Sequence, residues 1–444
     1  MNTAQTAIAS PGEFGLALGV LTIGSSSDGA IASGDTVTLK LIGAKWSTLP
    51  TASGTPGVGA ISGNKTATLS FTATSASQAA RPLTLTGARI DVSSTAGPIE
   101  LDVADGANTA STYVAAVVAQ ARIDGSDRYA TAVAVFDKSF AQTTSVVLTS
   151  GANYPDALSA VYLAHELSTG VLTTTPNALP SVVADALARH GVQHVYLVGG
   201  TASVSDAVAS QLSALHVGGG TSGAALQVTR IAGANRYETN SAVDLYQGQV
   251  AQTVVVATGE SFADALAAGP ALYATGYPLV LTPGAGLTPS IKATISALGA
   301  THAVILGGIV AVSAKVESQL QAMGVHVDQR LAGTDRTMTA AQIARWETGG
   351  IPAAAPYSGL SSLLFGASTV EVIRGDSYAD GLVAGAAAGV VKDPLVLASN
   401  PATLGPGAPT FLAGRAIYVD TLQAIGGTGA VSSAVLNAAA QALS

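Results

Sequence analysis

The chain has no cysteine among its 444 residues, which excludes disulfides, thiol catalysis and cysteine-ligated zinc or iron–sulfur clusters. Charge is scarce too. Only 10% of residues are Asp, Glu, Lys or Arg, against about a quarter in an ordinary soluble domain. The 19 basic side chains face 27 acidic ones, a formal net charge of −8, which is the wrong sign for general binding to nucleic acid or an anionic membrane. Any anion this protein holds must therefore be gripped locally. Long apolar runs are missing as well: stretches such as Leu382 to Val391 are broken by Gly and fall short of the roughly 20 residues a bilayer demands, so no membrane insertion is expected. Residues 1 to 15 show neither the basic start nor the compact apolar segment of an export signal.

Glycine is plentiful, at 50 residues, and the length suffices for several domains, each with its own core. From about Phe14 to Val103 apolar and polar residues alternate, as in Val37-Thr38-Leu39-Lys40-Leu41, Ala67 to Thr72, Leu83 to Thr86 and Ile99 to Val103. A period of two with turn residues between the runs predicts half-buried antiparallel strands, read as a β-sandwich domain over 1–116. This region holds no His, and its bland reading is a spacer or adhesive module. After about Ser111 short apolar runs alternate with Ala-rich stretches at helical spacing. Ser145 to Thr149, Asp156 to Glu166, Val171 to Thr173, Ser181 to Arg189 and His194 to Val198 form such a series. That alternation predicts α/β structure with parallel strands and right-handed crossovers.

Internal repetition is the strongest signal. Arg122-Ile123-Asp124-Gly125-Ser126-Asp127-Arg128-Tyr129 returns as Arg230-Ile231-Ala232-Gly233-Ala234-Asn235-Arg236-Tyr237 and as Arg330-Leu331-Ala332-Gly333-Thr334-Asp335-Arg336-Thr337. A second element, Gly151 to Leu158, recurs at Gly259 to Leu266 and Gly375 to Leu382, and a strand ending in Gly-Gly recurs at Gly199, Gly307 and Gly426, each followed by Val-Ser. The repeats are placed at 117–218, 224–327 and 328–444. The third departs from the others: Thr337 replaces the Tyr, Arg374 replaces a small residue, an insertion rich in Gly, Pro, Ala and Ser occupies Thr348 to Ser362, and Asp420 to Gln423 is read as lengthening the route to the last Gly-Gly.

Each repeated residue has a structural reading and a binding reading. Gly125, Gly233 and Gly333 are expected in left-handed or tightly turned backbone. Asp156, Asp264 and Asp380 follow a strand and open a helix, where a carboxylate caps free N–H groups and repels a phosphate from the same turn. The aromatics two residues earlier, Tyr154, Phe262 and Tyr378, are packing residues or a platform for a sugar. Six of the ten arginines after residue 116 lie in the first motif: Arg122, Arg128, Arg230, Arg236, Arg330 and Arg336. A planar guanidinium suits phosphate and carboxylate, yet the same groups could pair internally with Asp127 or Asp335, or bond to Asn235. Both readings stay open.

Other chemistry finds little support. There is no Gly-x-Ser-x-Gly elbow. Gly218, Gly220 and Gly223 match a dinucleotide fingerprint formally but follow a helix, so they read as a linker. His190 and His194 are separated by a helix-ending Gly191, no third ligand is near them in sequence, and the other His residues form no threefold set, so neither a catalytic site nor a metal site is expected, and no cofactor.

Taken together, the threefold Arg-Ile-x-Gly-x-Asp/Asn-Arg-Tyr, the Gly-x-x-Tyr/Phe-x-Asp-Ala-Leu element, the Pro278-Leu279-Val280-Leu281 strand and the Gly-Gly before Val-Ser resemble the cell wall binding repeat 2 family over roughly Arg122 to Ser444. The resemblance implies three tandem Rossmann-like modules in a pseudo-threefold arrangement on a secreted Gram-positive surface protein, its export signal removed. It also implies non-covalent attachment to an anionic secondary cell-wall polymer, with the six arginines in or beside grooves between modules. The expected function is a non-catalytic anchor, compatible with an S-layer or surface-coat subunit that forms a homo-oligomer or lattice. A nucleotide-dependent enzyme is the less favoured class.

Overall fold

The computed structural model describes residues 16–17, 21–23, 33–42, 44–53, 58–63, 66–75, 83–86, 89–92, 99–105 and 111–115, and beyond these 119–141, 143–218, 223–349, 363–413, 415, 419 and 421–443. The chain divides into two compact units. One comprises Met1–Ala121, Leu412–Leu422 and Asn437–Ser444, and the other Arg122–Phe411 and Gln423–Leu436. Among the described residues no helix is long and apolar enough to cross a membrane.

The first unit is β-structured over its N-terminal stretch, as the alternating pattern predicts. Thr36–Ile42 pairs antiparallel with Thr68–Thr72 on one side and with Ile99–Asp105 on the other, and Ser111–Ala115 completes that sheet. Two three-stranded antiparallel sheets accompany it: Leu16–Ala17, Arg89–Val92 and Ala44–Thr48, and Leu21–Ile23, Leu83–Thr86 and Thr51–Ser53. Val37, Leu39 and Leu41 point to the core with Trp46, Leu69 and Phe71, while Lys40 between them is exposed. That is the period of two made physical.

The second unit carries three α/β modules built on parallel strands. The first sheet runs in the order Val171–Thr174, Ser145–Ser150, His194–Val198, Gln227–Ile231, and the second Leu279–Thr282, Thr253–Thr258, His302–Leu306, His326–Leu331. The third is Leu395–Ala398, Thr369–Arg374, Thr421–Ile425, Ala119–Ile123. Sequence repeat and sheet are therefore out of step by one strand: each sheet takes its edge strand from the repeat that follows, and the last takes it from the first. The route to the last Gly-Gly is longer in the third copy, as expected, but Thr421, Leu422 and Gln423 belong to the strand that leads into Gly426. The insertion beyond Gly349 and the linker at 219–222 lie outside the described residues.

The repeated motif acquires a local meaning here. Asp127, Asn235 and Asp335 have extended backbone, and each accepts two N–H bonds from the first turn of the helix it precedes: Arg128–Ser139, Arg236–Asp244 and Arg336–Thr348. They are N-caps, and among the described residues none forms an ion pair with the neighbouring arginine, so the internal salt bridge weighed above is not what these residues do. Of the two conformations expected for the preceding glycines, the left-handed one does not occur. Gly125, Gly233 and Gly333 are not left-handed; they press against the same helical turn, where a Cβ would lie 2.4, 2.4 and 2.3 Å from the nearest atom. Their N–H groups donate to the hydroxyls of Thr131, Thr239 and Thr339 at 3.0, 3.0 and 3.1 Å.

The modules meet through helices of small residues. Ala160–Ala164, Gly269–Leu272 and most of Ala379–Gly389 are buried, and Gly269 lies so close to Gly385 that a Cβ on it would stand 2.7 Å from the facing Cα. Ala and Gly at such a crossing let backbones approach and bury apolar surface with few charges, which accounts for the composition. Polar ties span the same junctions: buried Asn240 donates to Ser159 at 3.0 Å and accepts from the Leu281 N–H at 2.7 Å, and buried Glu347 accepts from the Ala271 N–H at 3.1 Å. Gly269→Val should overpack the crossing and lower unfolding free energy by about 2–4 kcal/mol in urea titrations. A loss below about 0.5 kcal/mol would mean that the crossing is loose.

In the third module Lys138 donates to Gln423, which donates to Glu371 at 2.5 Å. Burial outweighs that bond and pushes the Glu371 carboxyl up to about 8. The folded protein thus holds a proton there that the unfolded chain releases near pH 4.5, so stability falls as pH rises from about 4.5 to 8. Glu371→Gln should remove that part of the slope, raising stability at pH 9 by on the order of 1–3 kcal/mol relative to the parent with little change at pH 4, as read by urea titrations across pH.

Candidate functional site

The six repeated arginines fall into two sets. Arg122, Arg230 and Arg330 leave the ends of edge strands and reach under the Gly-Gly turn of the sheet they complete. Arg230 donates to the carbonyls of Gly199 and Val204 at 2.9 and 2.8 Å, Arg330 to those of Gly307 and Val312 at 2.9 Å each, and Arg122 to Gly426 and, at 2.7 Å, to Val431. Arg230 and Arg330 add carboxylates at 3.2 Å from Asp206 and 2.9 Å from Glu317. All three are half-buried, and burial lowers the Arg122 pKa against the opposing pull of Asp124. These guanidiniums are committed to satisfying carbonyls that would otherwise be orphaned at the turn.

Arg128, Arg236 and Arg336 are placed differently. Each heads its helix and donates one Nη1–H to the carbonyl of its own repeat's second motif: Gly151 at 2.7 Å, Gly259 at 2.5 Å and Gly375 at 2.6 Å. Each also lies against another repeat. Arg236 sits over the Tyr154 ring at 5.8 Å and Arg336 over Phe262 at 5.7 Å, while Arg128 acts on Tyr378 and Asp380. Arg128 and Arg336 are exposed and Arg236 half-buried. The rings themselves form a closed triangle, with centroids of Tyr154, Phe262 and Tyr378 separated by 5.4, 5.7 and 5.8 Å. Tyr154 donates to the Glu260 carbonyl at 3.0 Å and Tyr378 to the Gly151 carbonyl at 3.2 Å. Triangle and guanidinium edges thus mark three related junctions that differ in detail, a constellation that periodic aromatics alone did not announce.

Asp156, Asp264 and Asp380 are not the helix caps expected of them. Asp156 precedes a single 3₁₀ turn in α conformation and makes no capping bond; it accepts instead from Ser203 at 2.6 Å. Asp264 and Asp380 stand one residue inside their helices. Each carboxylate lies under the first glycine of its repeat's Gly-Gly turn, where φ is 118°, 94° and 101° at Gly199, Gly307 and Gly426 and a Cβ would meet it at 3.1, 2.6 and 2.6 Å. Burial pushes the Asp264 and Asp380 carboxyls up, opposed at Asp264 by a Thr339 hydrogen bond and Arg336, and at Asp380 by Arg128 and Arg374. In the third repeat Thr337 turns inward, bonding to Asp335 at 2.7 Å and accepting from the Gly407 N–H at 3.1 Å, and Arg374 pairs with Asp376 at 2.7 Å. His190 and His194 go separate ways, to Asp137 at 2.6 Å and Thr229 at 2.8 Å.

A ring of three α/β modules with a guanidinium and an aromatic edge at every junction is the geometry of a repeat-built binding domain. The model of the family described as cell wall binding domain 2 matches residues 122–209, 230–317 and 330–436, and the chain belongs to that family. The domain of that family thus occurs here in three tandem copies. The chain is 29% identical over 316 residues to the N-acetylmuramoyl-L-alanine amidase LytC of Bacillus subtilis (strain 168), covering 71% of this chain and 57% of the amidase. It is 28% identical over 319 residues to the amidase enhancer of the same organism, covering 72% of this chain and 40% of that protein. The chain thus spans about half the length of these relatives. Among solved structures it resembles Cwp8 from Clostridium difficile, with a TM-score of 0.61 at 21% identity over 78% of this chain and 59% of that one. It also resembles Cwp6 from the same organism, with a TM-score of 0.62 at 17% identity over 100% of this chain and 67% of the other. At these identities the likeness is one of fold.

If the first set of arginines is structural, Arg330→Ala should lower unfolding free energy by about 2–4 kcal/mol, since two carbonyls and Glu317 lose their partner together, while Arg336→Ala should cost less than about 1.5 kcal/mol. Equal losses in thermal or urea denaturation would refute the division.

Proposed function

We propose that this chain is a non-catalytic anchor that holds an anionic cell-wall polymer at the three junctions, with Arg128, Arg236 and Arg336 as the direct contacts. Arg122, Arg230 and Arg330 serve the same grip indirectly, by fixing the Gly-Gly turns. The observation that carries this reading is the donor count at the second set. A guanidinium has five N–H groups, and each of these three gives one to a glycine carbonyl while its face rests on, or its charge acts against, an aromatic of another repeat. Fixed in position but not consumed, such a group suits phosphate or carboxylate on a passing chain. The other repeated polar groups are committed within the fold: Asp127, Asn235 and Asp335 to helix starts, and Asp156, Asp264 and Asp380 to the Gly-Gly turns. What repeats and still faces a ligand is cationic, which favours binding over acid–base chemistry. Three weak ionic contacts on one polyanion reinforce each other through effective concentration, so a net charge of −8 is no obstacle. Attachment of this kind places the protein outside the cell, at the wall.

Cosedimentation with purified wall tests the proposal. Arg128→Ala, Arg236→Ala and Arg336→Ala should each weaken pelleting by roughly fivefold, about 1 kcal/mol, with larger losses in combination and with rising salt. Wall stripped of its anionic polymer should retain little protein; retention equal to that of intact wall would defeat the reading.

A further inference from the structure

The second module departs from the first at the far end of its sheet from the arginines. In the first module His194 to Val198 pairs with Gln227 to Ile231 residue for residue. In the second, His302 faces His326 and Ala303 faces Val327, but Val304 faces Gln329, leaving Asp328 as an extra residue in the edge strand. A bulge of this kind re-aims a side chain. Here it turns the Asp328 carboxylate between two imidazoles: its Oδ1 lies 2.7 Å from Nδ1 of His302 and 2.8 Å from Nδ1 of His326. The two rings stand 5.8 Å apart, centroid to centroid. One ligand atom from each residue falls within 4.8 Å of the others, and among the described residues no other trio of His, Asp or Glu converges so closely. The side chains are 48%, 73% and 37% exposed for His302, His326 and Asp328, so an ion could reach them without any opening of the fold.

We propose that His302, His326 and Asp328 bind one divalent transition-metal ion of the class that accepts imidazole nitrogen and carboxylate oxygen together, zinc being the representative. The donor set is two nitrogens and one oxygen on a rigid pair of adjacent strands, which meets the ligand preference of such ions and leaves at least one position open to solvent. In the ion-free molecule each Nδ1 shares a proton with the Asp328 carboxylate. On binding, the imidazoles present the Nδ1 lone pair, their remaining proton sits on Nε2, and the ion takes the place of the two hydrogen bonds. His302 has a counterpart in the first repeat, His194, but that residue bonds to Thr229, and among the described residues no second His or carboxylate joins it, so the trio belongs to the second module. Asp328 and His326 lie two and four residues along the strand from Arg330, about 7 and 13 Å at about 3.3 Å per residue, and Arg330 is not among the arginines proposed to touch the polymer.

Isothermal titration of the full chain with zinc chloride should show one equivalent of binding that is lost in the His302→Ala/His326→Ala double variant. Asp328→Asn should weaken it by at least the roughly 10- to 100-fold that loss of an outer-shell partner costs. Because four other histidines remain, a double variant that binds zinc as well as the parent would overturn the site, as would a parent that binds none. Copper(II) gives a second readout: its electron paramagnetic resonance spectrum should carry hyperfine coupling from two imidazole nitrogens in the parent and lose it in the double variant, and an unchanged spectrum would overturn the assignment. All three side chains are at least a third exposed, so the variants should melt within a few degrees of the metal-free parent.

Discussion

The clamp between a buried-edge guanidinium and the carbonyls of a Gly-Gly turn is the interaction on which the ring depends. A turn that must pass over an aspartate at positive φ exposes carbonyls with no partner in its own repeat. Arg122, Arg230 and Arg330 supply the missing donors from the neighbouring repeat, and they do so because the strand before them completes the other repeat's sheet. Pairing of backbone and capping of turn carbonyls are thus one event. A repeat on its own would leave both a sheet edge and a turn unsatisfied, so the three copies gain their stability together, and the first strand closes the circle on the last sheet.

That closure explains the odd composition. Helices at the centre of a three-module ring are covered over most of their length, so the outward polar face of an ordinary amphipathic helix shrinks and Ala and Gly take its place. Gly269 against Gly385 is the extreme case, where only hydrogen is tolerated. Charge is then concentrated in the few positions that cap helices, clamp turns or face the junctions. An acidic, charge-poor protein can in this way carry three cationic points, one at each junction, without being a basic protein.

Much of this was legible beforehand. The alternation from Val37 to Leu41 and the α/β rhythm after Ser111 follow from burial on one face or both, and the threefold motif marks the copies. Less visible was what each motif residue does. Gly125 and its counterparts were expected in left-handed or tightly turned backbone; they are not left-handed, and their place is to make room for a helix. Asp156, Asp264 and Asp380 were expected to cap helices and instead lie beneath a turn more than 40 residues further on. Asp127 and Asp335 stood next to arginines in the chain yet bond to backbone, because the extended conformation before a helix points the carboxylate at its N–H groups. Chain adjacency says little about which of several polar partners a side chain selects.

The periodicities, the triplication and the inventory of guanidiniums were determined by the sequence alone, since they depend on local spacing and on residue chemistry. Tertiary structure alone decided that the repeats exchange strands, that six similar arginines divide into three held inside and three left at junctions, and that Tyr154, Phe262 and Tyr378 close into one triangle. A ring brings together residues more than 100 positions apart, and the geometry of a guanidinium relative to a carbonyl or an aromatic face exists only once that closure has occurred.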